Sequence, residues 1–274
     1  MPGVFEGRVA VITGAASGIG KALAEALAAR GCDLALADLN ADGLEAVAGA
    51  LRSNERRVTT HVLDVGDRDQ IVALADAVQS DHGGADLVFN NAGVALGGQF
   101  DEVDEADFDW LLGINLMGPI RMTRAFLPQL KASGAGHLIN VSSIFGVVAP
   151  AGQTAYSASK FGLRGFSDAL RHELEGTGIH VTTVHPGGVK TSIARSARMP
   201  RGSDPEEVEK GLKQADKQLV MPPPEAARII LDAVERKSPR VLVGRDAKAL
   251  ALLERVFPAT YWKRLSGFFR RAED

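Results

Sequence analysis

The stretch VAVITGAASGIGKALAEALA, residues 9–28, determines the fold class of this chain. Its first residues are apolar or β-branched, as in a buried strand, and an Ala/Leu pattern of helical period ends it. Gly14, Gly18 and Gly20 lie between the two, in a G-x-x-x-G-x-G spacing. Glycines permit a sharp turn and close approach to a ligand, and a helix N-terminus attracts a pyrophosphate. The stretch predicts a phosphate-binding strand–turn–helix unit; tight packing of helix on strand is the alternative.

Strand and helix patterns continue to alternate along the chain. Strands are predicted at residues 8–13, 33–38, 57–64, 86–90, 137–142, 179–186 and 240–243. Segments rich in Ala, Leu and Glu, with apolar residues three and four apart, separate them. Such alternation implies right-handed crossovers. We expect an α/β fold, Rossmann-like, with a doubly wound parallel sheet of about seven strands, helices on both faces, and one domain over residues 1–274.

Two segments depart from this alternation. Residues 191–224 are polar, with Gly, Pro and many charges, and we predict that they form a mobile lid. Residues 246–274 form a helical tail with apolar positions at helical spacing, whose aromatic half is accompanied by Lys and Arg. Packing on this subunit or on a partner subunit would explain the tail. An interfacial helix in peripheral contact with a membrane, or a cap over a pocket for lipid-like substrates, is the alternative.

Composition excludes several classes of function. The net charge is −3 and the pI about 6.1, which gives no footprint for nucleic acid. A single cysteine, Cys32, fits a reducing cytoplasm and forms no internal disulfide. No apolar run approaches the length of a membrane-spanning helix, and the six scattered histidines give no metal-ligand spacing, so neither a span nor a metal is expected.

Asp38 indicates which dinucleotide would bind. It ends the second predicted strand, about 20 residues after the glycine turn, where an acid accepts hydrogen bonds from an adenosine ribose. Its charge would repel the 2′-phosphate of NADP, and no arginine stands at positions 15–17 of the turn to bind that phosphate. NAD is therefore the predicted cofactor and NADP the less favoured one. A helix N-cap or solvated strand end is the alternative reading of Asp38.

A tyrosine and a lysine lie four residues apart in TAYSASKFG, residues 154–162. On a helix, Tyr156 and Lys160 would be neighbours on one face. An ammonium about 6 Å from a phenolate, at an effective dielectric of about 20, stabilises it by roughly 2.8 kcal/mol, or about two pKa units. We therefore predict a tyrosine whose pKa lies near working pH, as suits a general acid or base.

The run NVSSIFG, residues 140–146, places two serines at the end of a predicted strand. Ligands bind at the carboxyl ends of strands in folds of this class. A hydroxyl of Ser142 or Ser143 could there donate to a substrate carbonyl and stabilise charge on its oxygen.

Seven motifs occur in a fixed order along the chain: TGAASGIG at 13–20, DV at 64–65, NNAG at 90–93, Asn115 in GINLMG, the serine pair, YSASK at 156–160 and HPGGVKT at 185–191. Together they resemble the short-chain dehydrogenase/reductase family, in its single-domain branch. The resemblance covers about residues 9–243 and departs from the family pattern at no catalytic position.

The resemblance implies a role for each matching residue. Tyr156 matches the catalytic acid/base, Lys160 the residue that lowers its pKa and holds the nicotinamide ribose, and Ser143 the carbonyl-polarising hydroxyl. Asn115 matches the residue that positions a water in a proton relay toward Lys160. The implied cofactor contacts are Gly14, Ser17, Gly18, Ile19 and Gly20 at the pyrophosphate, Asp64, Val65, Asn91, Ala92 and Gly93 on the adenosine side, and Pro186, Gly187, Val189 and Thr191 at the nicotinamide carboxamide.

The implied activity is hydride transfer between NAD(H) and an alcohol or ketone. Ser143, Phe145, Tyr156 and Ile193 are the predicted substrate contacts. Residues 94–96 and 145–151 would form an apolar wall, which favours a lipophilic substrate of lipid, steroid or retinoid type. An NADP-dependent carbonyl reductase, a non-catalytic NAD(H) sensor and a nucleotide-sugar epimerase remain as alternatives. The family commonly assembles through long helices, here at about 102–131 and 155–175, so a homodimer or homotetramer is expected.

Overall fold

The structure is a computed structural model that describes the backbone of residues 3–52 and 56–270 and side chains as far as residue 266. Within this part of the chain, seven strands form one sheet. They are β1 (Val9–Thr13), β2 (Asp33–Asp38), β3 (Val58–Val62), β4 (Leu87–Asn90), β5 (His137–Val141), β6 (His180–Pro186) and β7 (Arg240–Val243). All neighbouring strands are parallel, in the order β3-β2-β1-β4-β5-β6-β7. The predicted doubly wound sheet is confirmed.

Helices cover both faces of the sheet. Those in the described residues are α1 (Gly18–Ala28), α2 (Ala41–Leu51), α3 (Arg68–His82), α4 (Glu105–Leu112), α5 (Gly118–Ala132), α6 (Thr154–Glu173), α7 (Pro205–Gln218), α8 (Pro223–Glu235), α9 (Arg245–Val256) and α10 (Tyr261–Arg270). One apolar core lies under α1, α2 and α8, and the other lies under α3, α5 and α6. Because parallel strands are covered on both faces, β1 and β5 are buried along their whole length.

The order of strands reverses between β1 and β4. The connection after β1 leads to one side of the sheet and the connection after β4 to the other. A crevice at the carboxyl ends of the strands is the usual ligand site where such a reversal occurs. Residues that follow β1, β4, β5 and β6 are therefore brought to one edge of the sheet.

The predicted long helix over residues 102–131 is interrupted. It consists of α4 and α5 joined by a π-helical segment, Gly113–Met117, which contains Asn115. The predicted strands at 33–38 and 240–243 have the observed bounds, and the other five differ from the observed bounds by one or two residues at their ends.

The segment predicted to be a lid carries α7. None of the 14 residues of α7 is buried, whereas α8, which begins at Pro223, lies in the core. The tail forms α9 and α10; the side chains of Phe268, Phe269 and Arg270, and all of residues 271–274, lie outside the described residues. Among the described helices, none is both long and apolar enough to cross a membrane.

Candidate active site

The glycine turn forms a cradle between β1 and α1. Gly14 and Gly18 have φ angles of +68° and +53°, which side chains other than glycine rarely adopt. A Cβ on Gly20 would collide with the carbonyl oxygen of Gly14, and one on Gly14 would lie 2.9 Å from the Cα of Ala92. Ser17 is the N-cap residue of α1, and its side chain makes no capping bond. The turn is therefore close-packed against the protein, and the first N–H groups of α1 are the ones that would bind a pyrophosphate.

The residues after β4 fix the other side of this cradle. The Asn91 amide donates to the carbonyl oxygens of Thr13 and Gly14 at 3.0 and 3.3 Å. The Thr13 hydroxyl accepts from the backbone N–H groups of Asn91 and Ala92 at 3.0 and 3.1 Å. The predicted adenosine-side residues and the predicted pyrophosphate turn are therefore bonded to each other.

Asp38 is held by the turn it would serve. Its two carboxylate oxygens each accept one backbone N–H, from Ala16 and from Asn40, both at 2.9 Å. These bonds fix the carboxylate between the glycine turn and the start of α2. On the same side, the Asp64 carboxylate accepts from the N–H of Gly66 at 2.7 Å, and Val65 is buried.

Tyr156 and Lys160 share one face of α6, as predicted. The Lys160 ammonium lies 5.6 Å from the centre of the Tyr156 ring and donates to the Val141 carbonyl oxygen at 3.1 Å. Lys160 is only 3% exposed, and a Cβ on Gly93 would lie 3.5 Å from its Nζ. The lysine therefore connects α6 to β5 beside the residues after β4.

The pKa predicted for Tyr156 is wrong in its direction. Burial raises the pKa of Tyr156 above its ordinary value of 10, and only a hydrogen bond with the Ser143 side chain acts the other way. Burial also lowers the pKa of Lys160 from 10.5 to about 8, so the ammonium is not a full charge above that pH. Sequence reasoning counted the attraction between the two charges and left out the cost of taking both from water.

Ser143 follows β5 and is brought to the Tyr156 hydroxyl. It is the N-cap of a short 3-10 turn, Ile144–Gly146, where its Oγ accepts from the N–H of Phe145 at 3.1 Å. His185 on β6 contacts the carbonyl oxygen of Ser143 through its Nδ1 at 2.9 Å. Because that oxygen only accepts, Nδ1 carries the proton. Burial lowers the pKa of His185 to about 4, so it is neutral and fixes the serine backbone.

Ser142, the other candidate, does not face the site. Its hydroxyl donates to the Lys160 carbonyl oxygen at 2.9 Å and is buried. The structure thus separates two adjacent serines that the sequence left equivalent, with Ser143 beside Tyr156 and Ser142 fastened to α6.

Asn115 lies in the π-helical segment and is fully buried. Its side-chain amide pairs with the backbone of Val94 in both directions, donating and accepting at 2.8 Å. The side chain therefore positions the loop after β4. The role of Asn115 in positioning a water for a proton relay stays a prediction.

The segment after β6 closes the cofactor side. Val189 is buried, and a Cβ on Gly18 would lie 3.0 Å from the Thr191 methyl group, so this segment touches the glycine turn. Asp246 of α9 accepts from the N–H of Gly188 at 2.6 Å, and a Cβ on Gly187 would collide with the same carboxylate. Pro186, which ends β6, brings this segment to the edge of the sheet where β5 also ends.

Apolar residues surround the Tyr156 ring on the substrate side. Phe145 packs edge-to-face against it, with ring centres 6.2 Å apart. Leu96, Leu111 and Ala155 form a buried cluster on which Tyr156, Val94 and Trp110 pack. Ile193 is half-buried in the segment beyond Thr191. Of the predicted substrate contacts, the structure places Ser143 and Phe145 at Tyr156.

Sequence reasoning missed His185 and Asp246. His185 stands in the quoted HPGGVKT motif, but nothing in a motif shows that an imidazole reaches back to β5. Asp246 lies beyond the residues that carry the resemblance. A Cβ on Gly187 would collide with the Asp246 carboxylate and one on Gly188 with the Gln218 carbonyl oxygen, and both collisions are visible only in the coordinates.

This edge of the sheet can perform proton transfer on a bound oxygen. A phenol and a serine hydroxyl adjoin each other in an apolar surrounding, next to a cradle for a pyrophosphate. Among the described residues, no group of three His, Cys, Asp or Glu side chains could hold a metal ion.

Comparison with known proteins agrees with this site. The family model of the short chain dehydrogenases matches residues 8–202. A protein named as an oxidoreductase, SadH of Mycobacterium tuberculosis, is 42% identical over 260 residues, which cover 94% of this chain and 93% of SadH. The chain therefore belongs to the short-chain dehydrogenase/reductase family of oxidoreductases.

Solved structures agree with the assignment. A short-chain dehydrogenase/reductase from Burkholderia phymatum, in complex with NAD, superposes with a TM-score of 0.84 and 30% identity over 92% of this chain and 94% of that one. A short-chain dehydrogenase from Mycobacterium paratuberculosis, bound to NAD, gives 0.78 and 26% identity over 90% of this chain and all of that one.

Proposed function

We propose that this protein transfers a hydride between NAD(H) and a secondary alcohol or ketone. The observation that carries the proposal is the placing of the Tyr156 phenol, Ser143 hydroxyl and Lys160 ammonium at one edge of the sheet, beside a glycine cradle. A sensor that only binds NAD(H) would have no need of the serine–tyrosine contact.

The cofactor would lie along the carboxyl ends of the strands. Gly14, Gly18 and Gly20 let the turn pack closely on the residues after β4 and on Thr191. The helix N-terminus that follows this turn would bind the pyrophosphate of the dinucleotide. Lys160 would hold the nicotinamide ribose, and Gly187 and Thr191 the carboxamide end. Bound NAD(H) supplies the hydride chemistry. The fixed Asp38 carboxylate supports NAD over NADP, since a 2′-phosphate would meet a negative charge.

The chain's own residues hold the substrate oxygen and move its proton. Ser143 donates to that oxygen and is kept in place by its Phe145 bond and by His185. Burial raises the pKa of Tyr156, so it is a protonated phenol at neutral pH and can donate its proton in ketone reduction. In alcohol oxidation, the phenolate form of Tyr156 accepts the hydroxyl proton of the substrate. The Lys160 ammonium lies 5.6 Å from the centre of the Tyr156 ring, close enough to attract the phenolate that remains once the phenol has given up its proton.

A lipophilic substrate fits the walls described above. Phe145, which packs on the cluster that contains Val147 and Val148, contacts the Tyr156 ring, and Tyr156 also packs on the cluster around Leu96. Apolar walls with a few convergent polar groups are usual for sites that take hydrophobic ligands. An NADP-dependent carbonyl reductase is the second candidate function, because the apolar walls would suit the same substrates with either NADH or NADPH as the hydride donor.

We further propose a homo-oligomer that acts in the cytoplasm and assembles through the helices α5 and α6. Met117, which directly precedes α5, and Phe161, which lies on α6, are each 39% exposed. A groove of about 590 Å³ runs along α6 past Phe161, Ala158 and Pro150 to Trp262. Light scattering of the full chain, with Phe161→Glu as the interface variant, measures this directly.

The tail has two proposed roles. Tyr261 of α10 accepts from the N–H of Ala149 at 2.9 Å and packs in the cluster that contains Ile144, which supports packing on its own subunit. Leu252 and Val256 of α9 are 62% and 56% exposed, which supports peripheral membrane contact. Co-sedimentation with anionic vesicles, compared between the full chain and Leu252→Glu, decides between them.

The activity test uses a screen of hydrophobic secondary alcohols and ketones against short polyols. Turnover is read as NADH absorbance and repeated with NADP(H). We expect hydrophobic substrates to react at least about tenfold faster with NAD(H). No turnover with any of them, together with normal NADH binding, would support the sensor instead.

A further inference from the structure

The lid is bonded to the loop after β4 by a strap, which we define as residues 197–200. Arg198 of the strap donates its backbone N–H to Ala95 and accepts at its carbonyl oxygen from Gly97, both at 3.0 Å. These bonds form a bridge between Leu96 and Arg198. The strap therefore lies across the loop after β4, which the Asn115 side chain also holds in place through Val94.

The Arg198 side chain fastens the strap a second time. Its guanidinium lies 3.5 Å from the centre of the Trp110 ring and pairs with the Asp107 carboxylate at 2.6 Å, both on α4. Asp107 is half-buried, with its side chain 26% exposed, so this pair is less screened than one in open solvent. A planar guanidinium can stack and pair at once, which a lysine cannot do.

Strap and loop are also closely packed. A Cβ on Gly97 would lie 3.0 Å from the Met199 sulfur, and a Cβ on Gly98 would collide with the Pro200 ring. The two glycines let the strap lie flat on the loop. The close contact therefore depends on Gly97 and Gly98 in the loop, which leave room for Met199 and Pro200 of the strap.

The strap covers the substrate side of the site. Leu96, Trp110 and Tyr156 belong to one apolar cluster, so the strap lies over the wall next to the catalytic phenol. The base of the lid is fixed where Gly188 and Lys190 bond to Met221 at 3.0 and 2.8 Å. Between the strap and this base, α7 buries no residue. Opening at the strap would therefore free the lid while its base stays in place.

We propose that Arg198 holds the lid closed over the substrate chamber and sets how readily bulky substrates and products pass. It does not serve as an anion site for the substrate, because Asp107 and Trp110 occupy its guanidinium. The effect on turnover rests on the proposed function, whereas the closure itself does not.

Hydrogen exchange and tryptophan emission test the closure without activity. The chain has two tryptophans, so Trp262→Phe leaves Trp110 as the single reporter. In that background, Arg198→Gln should exchange the amides of Gly97 and residue 198 at least about tenfold faster. Trp110 emission should shift to the red and be quenched more by acrylamide. Arg201→Gln is the matched control, since that side chain is 93% exposed and pairs only at 3.4 Å with Asp104.

Kinetics with a bulky and a small ketone test the consequence. We expect Arg198→Gln to raise kcat/KM for the bulky ketone at least about threefold relative to the small one, and Arg201→Gln to change neither. Unchanged exchange and emission overturn the proposal, as does faster exchange with equal kinetic effects on both ketones. If the wild type turns over neither ketone, the proposed function fails, while exchange and emission still decide whether Arg198 holds the lid.

Discussion

Helices α6 and α7 are built in opposite ways. In α6, seven of 20 residues are buried, and Lys160 and Ser142 connect it to the end of β5. In α7, none of 14 residues is buried, and an ion pair between Asp216 and Arg195 joins it to the segment before it. One helix is part of the core, and the other lies on it.

The difference matches the role that we propose for each helix. A proton donor must be held within a fraction of an ångström of its target, so it belongs on an element whose position packing determines. A lid must open within a catalytic cycle, so it belongs to the part of the chain with the lowest local stability. If the proposed roles hold, the residues that perform the chemistry and those that control access to the site lie in different parts of the sequence, with the border near Thr191.

The largest effect on activity should come from a substitution on α6. Tyr156→Phe removes one oxygen from α6 and should lower kcat at least about 10³-fold, or roughly 4 kcal/mol, because no other group supplies the proton. Steady-state rates and NADH binding by fluorescence measure this, and binding should be kept. Tyr261→Phe is the matched control, and it should change kcat less than about threefold. A Tyr156→Phe enzyme with most of its rate would refute the assigned chemistry.

The free energy of unfolding measures the contrast between α6 and α7 directly. Leu163→Ala on α6 leaves a cavity at a fully buried site and should cost about 2–5 kcal/mol of unfolding free energy. Leu212→Ala on α7 removes a half-buried side chain and should cost less than about 1 kcal/mol. Urea midpoints of the two variants provide the comparison. Equal losses would show that α7 belongs to the core after all.

Cofactor choice tests the packed part of the molecule around the glycine turn, and not the lid. Asp38→Asn keeps the shape of the side chain and removes its charge, so repulsion of a 2′-phosphate falls. The ratio of kcat/KM with NAD to that with NADP should fall about 10–100-fold, or roughly 1.4–2.8 kcal/mol. Asp42→Asn, at an exposed position in the first turn of α2, should leave the ratio unchanged. An unchanged ratio in Asp38→Asn would place the adenosine ribose elsewhere.

Acidification should lower the free energy of unfolding by smaller amounts. Burial lowers the pKa of His137 to about 3 and that of His185 to about 4, against 6.5 when unfolded. Below pH 6.5 the unfolded chain binds protons that the folded chain does not, so stability falls as pH falls. Between pH 7 and 5.5 each histidine should cost about 1 kcal/mol. Urea unfolding at both pH values measures it.

Two variants separate the sources of that loss. His185→Gln should remove about half of the loss attributed to the two histidines, and His172→Gln, whose side chain is 68% exposed, should leave it unchanged. A loss of stability on acidification that is the same in all variants would assign it to other groups.

Periodicity and glycine spacing were enough to predict the sheet. β-Branched runs separated by helical patterns predict a parallel sheet covered on both faces, whereas the order β3-β2-β1-β4-β5-β6-β7 comes from the structure. The π-helical segment could not be predicted in this way, because its reason is tertiary. Asn115 must reach the backbone of Val94, and no local pattern records that distance.

The sequence predicts a set of candidate site residues, whose roles stay proposals, but it could not predict their pKa values. The resemblance places Ser143, Tyr156 and Lys160 in the chain, and the structure brings them together. It could not show that burial outweighs charge attraction at Tyr156, because desolvation depends on how α6, β5 and the loop after β4 enclose the ring. Arg198 and Asp246 escaped notice because their partners lie far away in the chain.

The π-helical segment has a consequence for single-residue deletions. A helix gains about 100° of rotation with each residue, so one added residue turns α5 relative to α4 by that angle. Removing one residue from Gly113–Met117 would restore an ordinary helix and improve its local hydrogen bonding. The same deletion would swing Asn115 away from Val94 and misplace the loop beneath the strap. Such a variant should fold while losing its catalytic geometry, so the more regular helix would belong to the poorer enzyme.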